Sequence, residues 1–363
     1  MNKGETELNE GAPFASAARL PTWKNQSLLP KDFSMTDFSI LDLCPIIEGS
    51  NASEAIAATR AMAKAAEDAG FTRFWLAEHH GMEGIASAAT ALVIAEAGHA
   101  TKTIRIGSGG VMLPNHAPLV IAEQFGTLEA MFPGRVDLGL GRAPGTDTNT
   151  ARALRRNLET GANSFPNDVI ELQTYLGDRQ DGQRLIAVPG MGAKVPIWLL
   201  GSSLYSAHLA GALGLPYAFA SHFAPDLLEE ALHIYRSNFQ PSAQLEKPYV
   251  IAAAMGVMAE TDEEAAYHFT SVQQNFVNMR RNARGKMPPP LETMDGFWNE
   301  MEKIAVEHTL RYAVVGGPDT AKQKLQDFIA ATKADEIMIS MPIHSIEARL
   351  QSVELFGAMR SAL

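Results

Sequence analysis

Residues 78–80 read Glu-His-His and directly follow the apolar run TRFWLA that begins at Thr72. An imidazole can give or take a proton near neutral pH, so His79 and His80 are the first candidates for acid–base chemistry. Neighbouring residues on an extended strand face opposite ways, so a single ligand does not easily reach both rings. That argues against a His–His metal pair, as does the lack of an HxxxH spacing or a further His/Asp cluster along the chain. One ring is therefore expected to do chemistry and the other to pack beneath it.

Three further segments carry suitable side chains. In IGSGGVMLPNHAP, Gly109 and Gly110 end an apolar run. Paired glycines weaken a strand unless something needs the backbone close, and a flat ring or a tight bulge would each account for them. In GLGRAPGTD, Arg142 sits between small residues before a Pro-Gly turn. Its guanidinium suits a carboxylate or phosphate, or else a surface ion pair. In LLGSSLYSA, Gly201, Ser202 and Ser203 open a helix. Free N–H groups, hydroxyls and the helix dipole favour an anion there, while ordinary N-capping explains the same residues.

What positions these segments is a regular alternation. Eight short apolar runs are visible: FSILDLC from Phe38, TRFWLA from Thr72, TIRIGSG from Thr103, RVDLGLG from Arg135, PIWLLG from Pro196, YAFAS from Tyr217, YVIAAAMGVM from Tyr249 and DEIMISMP from Asp335. Each suits a strand buried on both faces of a parallel sheet. The stretches between them read as helices, among them SEAIAATRAMAKAAEDAG from Ser53, stopped by Gly70, and PDTAKQKLQDFIAAT from Pro318. The pattern predicts an α/β fold, a (β/α)8 TIM barrel with insertions after strands four and seven. A doubly wound open sheet would show a Gly-rich turn after its first strand, and none follows Phe38. In such a barrel the active site lies at the carboxyl ends of the strands, which is where all four segments fall. Residues 36–363 are assigned to the barrel and 1–35, without periodicity, to an N-terminal extension that is partly disordered. The segment after strand seven that contains RRNARGKMPPP is expected to cover the mouth.

Composition excludes several classes. The 363 residues carry 30 basic and 41 acidic side chains, a net −11 without a basic stripe for nucleic acid. No apolar run approaches the roughly 18 residues of a membrane span, and no secretory signal opens the chain. Cys44 is the single cysteine, which rules out an internal disulfide framework. A cytoplasmic enzyme is expected. Apolar residues near the rim, such as Leu113, Phe223 and Met341, would suit an organic substrate, as core packing would equally explain them.

From about Phe38 to the end, and most sharply from Phe71 to Arg156, the chain resembles the luciferase-like flavin monooxygenases. FTRFWLAEHHG, IRIGSGGVMLPNHAPLVIAEQFGTLEAMFPGRVDLGLGRAPGTD and GSSLYSAHLAGALGLPYAFASHF carry the resemblance. It implies reduced flavin mononucleotide (FMN) and dioxygen as co-substrates, a small organic substrate, a separate flavin reductase and a homodimer formed through the Ala-rich stretch Ser87–Ala100. By the same resemblance His79 is the catalytic histidine. Ser108, Gly109 and Gly110 match a bulged strand with a non-prolyl cis peptide against the flavin ring, and Gly141, Arg142, Gly201, Ser202, Ser203 and Tyr205 match the phosphate side, with Ser206 as a further contact. Gly141 stands where light-emitting members carry a reactive cysteine, so light emission is not implied. Gly201 stands where they carry a glutamate. Deazaflavin-dependent dehydrogenases share this barrel and remain an alternative, as do a non-catalytic flavin-binding homologue and a metal-dependent barrel hydrolase built on His79 and His80.

Overall fold

The computed structural model describes residues 36–143, 148–154 and 164–360. The N-terminal extension assigned to 1–35, and the Pro-Gly turn after Arg142, lie outside the described residues.

Among the described residues there are nine strands: β1 (Asp37–Asp42), β2 (Arg73–Leu76), β3 (Arg105–Met112), β4 (Val136–Gly141), β5 (Ile197–Gly201), β6 (Tyr217–Phe219), β7 (Val250–Met258), β8 (Val314–Gly316) and β9 (Glu336–Ser340). All pair in parallel. The ring runs β1 through β7, then β9, and closes where β9 meets β1. Eight strands thus form a closed (β/α)8 barrel, as the eight apolar runs predict. The ninth, β8, was not expected. It pairs with the far end of β7, Gly256–Met258, beyond the part of β7 that belongs to the barrel.

The helices follow in order: α1 (Ala52–Asp68), α2 (Thr90–Ala100), α3 (Pro118–Met131), α4 (Thr148–Leu154), α5 (Phe165–Leu176), α6 (Leu204–Leu213), α7 (Leu228–Asn238), α8 (Asp262–Arg280), α9 (Glu300–Thr309), α10 (Pro318–Thr332) and α11 (Ile346–Met359). Helices α4 and α5 occupy the long connection from β4 to β5, and α8, α9 and β8 that after β7. None of them is long and apolar enough to cross a membrane. Local chemistry sets their ends. The Asn51 side chain accepts from Glu54 N at 3.1 Å to start α1, and Gly70, with φ +78°, supplies the left-handed turn after it.

Strand residues alternate between two buried environments, which is why their runs are apolar throughout. Phe38, Ile40, Phe74, Leu76, Leu138 and Leu140 pack outward beneath the helices. Leu41, Trp75, Trp198, Tyr249, Ile251 and Met338 form a separate cluster that fills the barrel itself. Leu113 and Met341 belong to the helix-facing core with 0% and 2% exposure, whereas Phe223 is 49% exposed. Of the three rim candidates, only Phe223 presents a surface.

The amino-terminal end of the barrel is closed by charge. Arg73, fully buried, donates through Nε and Nη2 to Glu336 at 2.7 and 2.9 Å and through Nη1 to Asp137 at 2.8 Å. Asp137 also accepts from Trp75 Nε1 at 3.1 Å and pairs with Arg105, while Glu336 accepts from the Tyr249 hydroxyl at 3.0 Å. The Arg73 guanidinium lies 4.6 Å from the Trp198 ring centroid. Burial pushes Asp137 up, and the two arginines more than reverse it, holding the carboxyl below its ordinary range.

Candidate functional site

At the opposite, carboxyl end of the strands, β2 runs out at Leu76 and leaves Glu78, His79 and His80 on the rim. The alternation expected of an extended segment holds: Glu78 and His80 meet, and His79 does not join them. Glu78 Oε1 accepts from His80 Nε2 at 2.6 Å and from His116 Nε2 at 2.8 Å, and Oε2 accepts from the amide of Met112 at 3.1 Å. Burial alone raises the Glu78 carboxyl, and donation from His116, His80 and Met112 brings it below its usual value. The Glu78 amide in turn donates to Gly110 O at 3.2 Å. Glu78 thereby ties the end of β2 to Gly110 within the β3 irregularity and to Met112 just beyond it.

His116 lies just after the 3-10 turn Leu113–Asn115 and was not anticipated; its partner is 38 residues away in sequence. With it, a His-His-carboxylate cluster exists whose ligating atoms lie within 4.8 Å of one another, where sequence spacing suggested none. Both imidazoles are already within hydrogen-bond distance of one carboxylate oxygen, so the described geometry is that of a hydrogen-bonded cluster.

His79 is mostly buried, and among the described residues its Nδ1 has no hydrogen-bond partner. Burial holds its pKa below the ordinary imidazole value, opposed by the Glu78 charge. A neutral ring results at neutral pH, able to accept a proton at one nitrogen and give one at the other.

The β3–β4 register shifts between Ser108 and Val111, and Gly109–Gly110 is a non-prolyl cis peptide inside that shift. The bulge expected there is present. A Cβ on Gly109 would stand 2.6 Å from Leu41 Cδ1, and one on Gly110 2.1 Å from Leu200 Cδ1 and 2.7 Å from Gly139 O. Backbone packing against Gly139 therefore requires Gly110 whatever binds, while Gly109 is crowded chiefly by the tip of Leu41 and keeps one face partly exposed. The Ser108 hydroxyl is buried and committed to the sheet, donating to Gly139 O at 2.9 Å and accepting from Gly139 N at 3.0 Å.

Gly141 pairs with Leu200, so Arg142 and Gly201 leave the sheet side by side. The Arg142 guanidinium lies 4.0 Å from the centroid of the Tyr205 ring, in the first turn of α6. Among the described residues no carboxylate pairs with it. Ser203 occupies the N-cap of α6 without a capping hydrogen bond from its side chain, so ordinary capping does not use up its hydroxyl. Ser202 is part-exposed beside it. Ser206 is turned inward, donating to Ser203 O at 2.8 Å and meeting the Tyr217 hydroxyl at 3.2 Å; its hydroxyl lies 2.5 Å from where a Gly201 Cβ would stand. The structure thus gathers Arg142, Gly201, Ser202, Ser203 and Tyr205 and sets Ser206 beneath them as support.

The segment after α8 lies over the loops that follow β1 and β2. Met287 N donates to Ile46 O at 3.0 Å, Glu48 N to Met287 O at 2.9 Å, and Lys286 Nζ to Ser50 O at 2.8 Å. Gly84 lies so close to Gly285 that a Cβ would come within 2.3 Å of its carbonyl oxygen. A groove of about 970 Å³ also opens on the flank of the barrel, lined by Tyr267, Trp298, Tyr312 and Phe328, and none of the rim residues above lines it.

Residues 36–336 match the profile of a family described as luciferase-like monooxygenase. A protein of Escherichia coli strain K12 named luciferase-like monooxygenase is 53% identical over 325 residues, which span 88% of this chain and 97% of the relative. The solved structure of apo-MsnO8 superposes with a TM-score of 0.84 at 32% identity, covering 90% of this chain and 99% of that one. Two more distant structures share the fold. The oxygenating constituent of 3,6-diketocamphane monooxygenase from Pseudomonas putida, in complex with FMN, gives a TM-score of 0.63 at 19% identity over 89% of this chain and 97% of that one. An F420-dependent secondary alcohol dehydrogenase gives 0.63 at 14% over 91% and 98%.

Proposed function

The chain belongs to the luciferase-like monooxygenase family, and on that premise we propose that it is a cytoplasmic, FMN-dependent monooxygenase that uses dioxygen to oxidise a small organic molecule. One observation carries the cofactor reading: an arginine with no carboxylate partner among the described residues stacks on Tyr205 at the start of a helix whose N-cap hydroxyl is uncommitted. That donor set, a guanidinium with two serines and free helix N–H groups, matches a terminal phosphate of high charge density. His79 adds an unpartnered buried nitrogen on the same mouth.

In this reading Arg142, Ser202 and Ser203 hold the phosphate, with Tyr205 fixing the plane of the guanidinium. The part-exposed backbone of Gly109 offers a flat surface to a ring. Bound reduced flavin supplies the electrons that activate dioxygen. His79, kept neutral by burial, holds or moves a proton at its free nitrogen. The segment around Arg284–Met287 limits access of water to the mouth. In this reading a separate reductase supplies the reduced flavin. Leu92 on α2 and Val120 on α3, exposed by 71% and 44% on packed neighbouring helices, support pairing of two copies through this face.

Titration with oxidised and reduced FMN tests the reading. Saturable binding of both forms, with dioxygen consumed by the reduced complex, is the expected outcome. Binding of the deazaflavin F420 in preference to FMN, without oxygen consumption, would replace it with a hydride-transferring dehydrogenase.

A further inference from the structure

Among the described residues three imidazoles on loops that follow barrel strands keep a buried ring nitrogen without a hydrogen-bond partner: His79 (Nδ1), His222 (Nδ1) and, after β9, His344 (Nε2). His222, on the turn after β6, is 9% exposed, and its Nδ1 likewise has no hydrogen-bond partner among the described residues. In an eight-stranded ring β2 and β6 stand four places apart, so the two imidazoles approach from opposite sides. They are near enough for the charge of His79 to bear on His222.

The turn that carries His222 is held firmly. Ser221 Oγ donates to Ala253 O at 2.6 Å, Ala220 N donates to Gly201 O at 3.0 Å, and the His222 ring packs edge-on to Phe223, centroids 4.8 Å apart. The second of these contacts ties the turn directly to the loop that presents Ser202 and Ser203. Phe223, half exposed beside the ring, makes one wall apolar.

Buried polar atoms in folded proteins nearly always have a partner, since an orphan costs about 1–3 kcal/mol. The unpartnered nitrogens of His79 and His222 stand on segments that leave the barrel on opposite sides of one mouth, each on a backbone fixed by other contacts, and one molecule bound in that mouth can partner both. We infer that His222 is a second catalytic imidazole, contacting from the β6 side the same bound group that His79 contacts from the β2 side. The pair suits an uncharged group with hydrogen-bonding capacity, because two neutral imidazoles offer donors and acceptors without a net charge. This inference rests on the FMN reading above.

The test uses the full-length protein with FMN as probe, in wild type, His79→Asn, His222→Asn, His222→Phe and the His79→Asn/His222→Asn double variant. FMN affinity and melting temperature are measured first, and then the rate at which dioxygen oxidises the bound reduced flavin across the imidazole titration range. His222→Phe is expected to bind FMN and melt as wild type does, yet to change the oxidation rate by roughly tenfold. His222→Asn, which keeps a donor and an acceptor, should recover part of that change, and the double variant should depart from the product of the single effects. Wild-type rates in His222→Phe would overturn the inference. So would strictly multiplicative effects, or FMN affinity lost together with thermal stability, which would mark a packing histidine. Failure of the wild type itself to bind FMN is a different result, and it would remove the function reading along with this one.

Discussion

The two ends of the barrel both bury polar and charged groups, and they treat them oppositely. At the floor, Arg73, Asp137 and Glu336 spend their hydrogen bonds on one another, on Trp75 and on Tyr249. At the mouth, among the described residues, His79 and His222 each keep a buried nitrogen without a partner, and Arg142 has only the face of Tyr205. The Arg73–Asp137–Glu336 charges at the floor are mutually satisfied and serve the fold. Mouth groups are left with capacity that a ligand can use. The Glu78–His80–His116 cluster lies at the mouth but belongs with the floor in kind, since its carboxylate is satisfied from three directions.

If the contrast is right, mouth substitutions should strike activity and spare stability. The largest effect is expected for His79→Asn. Losing a positioned proton donor or acceptor should slow oxidation of bound reduced FMN by about 10²- to 10⁴-fold. FMN affinity and the denaturant midpoint should stay close to wild type. A large fall in stability with rates intact would place His79 among the structural groups instead.

The mirror-image experiment is Asp137→Ala. It leaves Arg73 with Glu336 alone and removes the carboxylate partner of Arg105, and breaking a buried pair from one side costs about 3–5 kcal/mol. Chemical denaturation should show that loss, while whatever protein stays folded binds FMN normally. A variant as stable as wild type would mean that Glu336 alone is enough for Arg73.

Arg142→Ala should have a smaller and more selective effect. Removing a charge-assisted contact of about 1.5–3 kcal/mol weakens FMN binding roughly ten- to hundredfold. Riboflavin, which lacks the phosphate, should bind both proteins alike. Equal losses for the two ligands would move the phosphate elsewhere and leave Arg142 a ring-stacking role.

The barrel was legible in the sequence because parallel strands buried on both faces read as unbroken apolar runs. TRFWLA and DEIMISMP stand out even though each has a charged residue at its start. Strand β8 was not legible: Val314–Gly316 is three residues long and pairs only with the outer end of β7. The rim positions of His79 and Arg142 followed from strand ends alone, and the cis peptide at Gly109–Gly110 from resemblance. Pairing across the barrel could not be read. Nothing in the local pattern says that His116 meets Glu78 or that Arg73 reaches Glu336, because each contact joins separate strands, nor that His222 leaves the barrel opposite His79. The paired glycines show the opposite limit: their pattern left a ring and a tight bulge equally open, and the bulge is present, with Gly139 crowding Gly110.

Acid titration offers the mildest way to separate the two ends. Burial, and then the neighbouring His79, push the pKa of His222 down to about 4 from an ordinary 6.5. Between these values the unfolded chain binds a proton at this position that the folded chain does not. Folding stability should therefore decline as pH falls from about 6.5 to about 4, by at most about 1.4 kcal/mol per pH unit from this one group. Asp137, held below its ordinary value of 3.8, acts in the other window: its contribution is intact above that value and is lost only as pH falls through the lower folded pKa. His222→Asn should flatten the first limb and leave the second, as followed by urea denaturation at successive pH values. An unchanged slope between about pH 6.5 and about pH 4 would show that His222 takes up its proton in the folded state, and the neutral second imidazole would go with it.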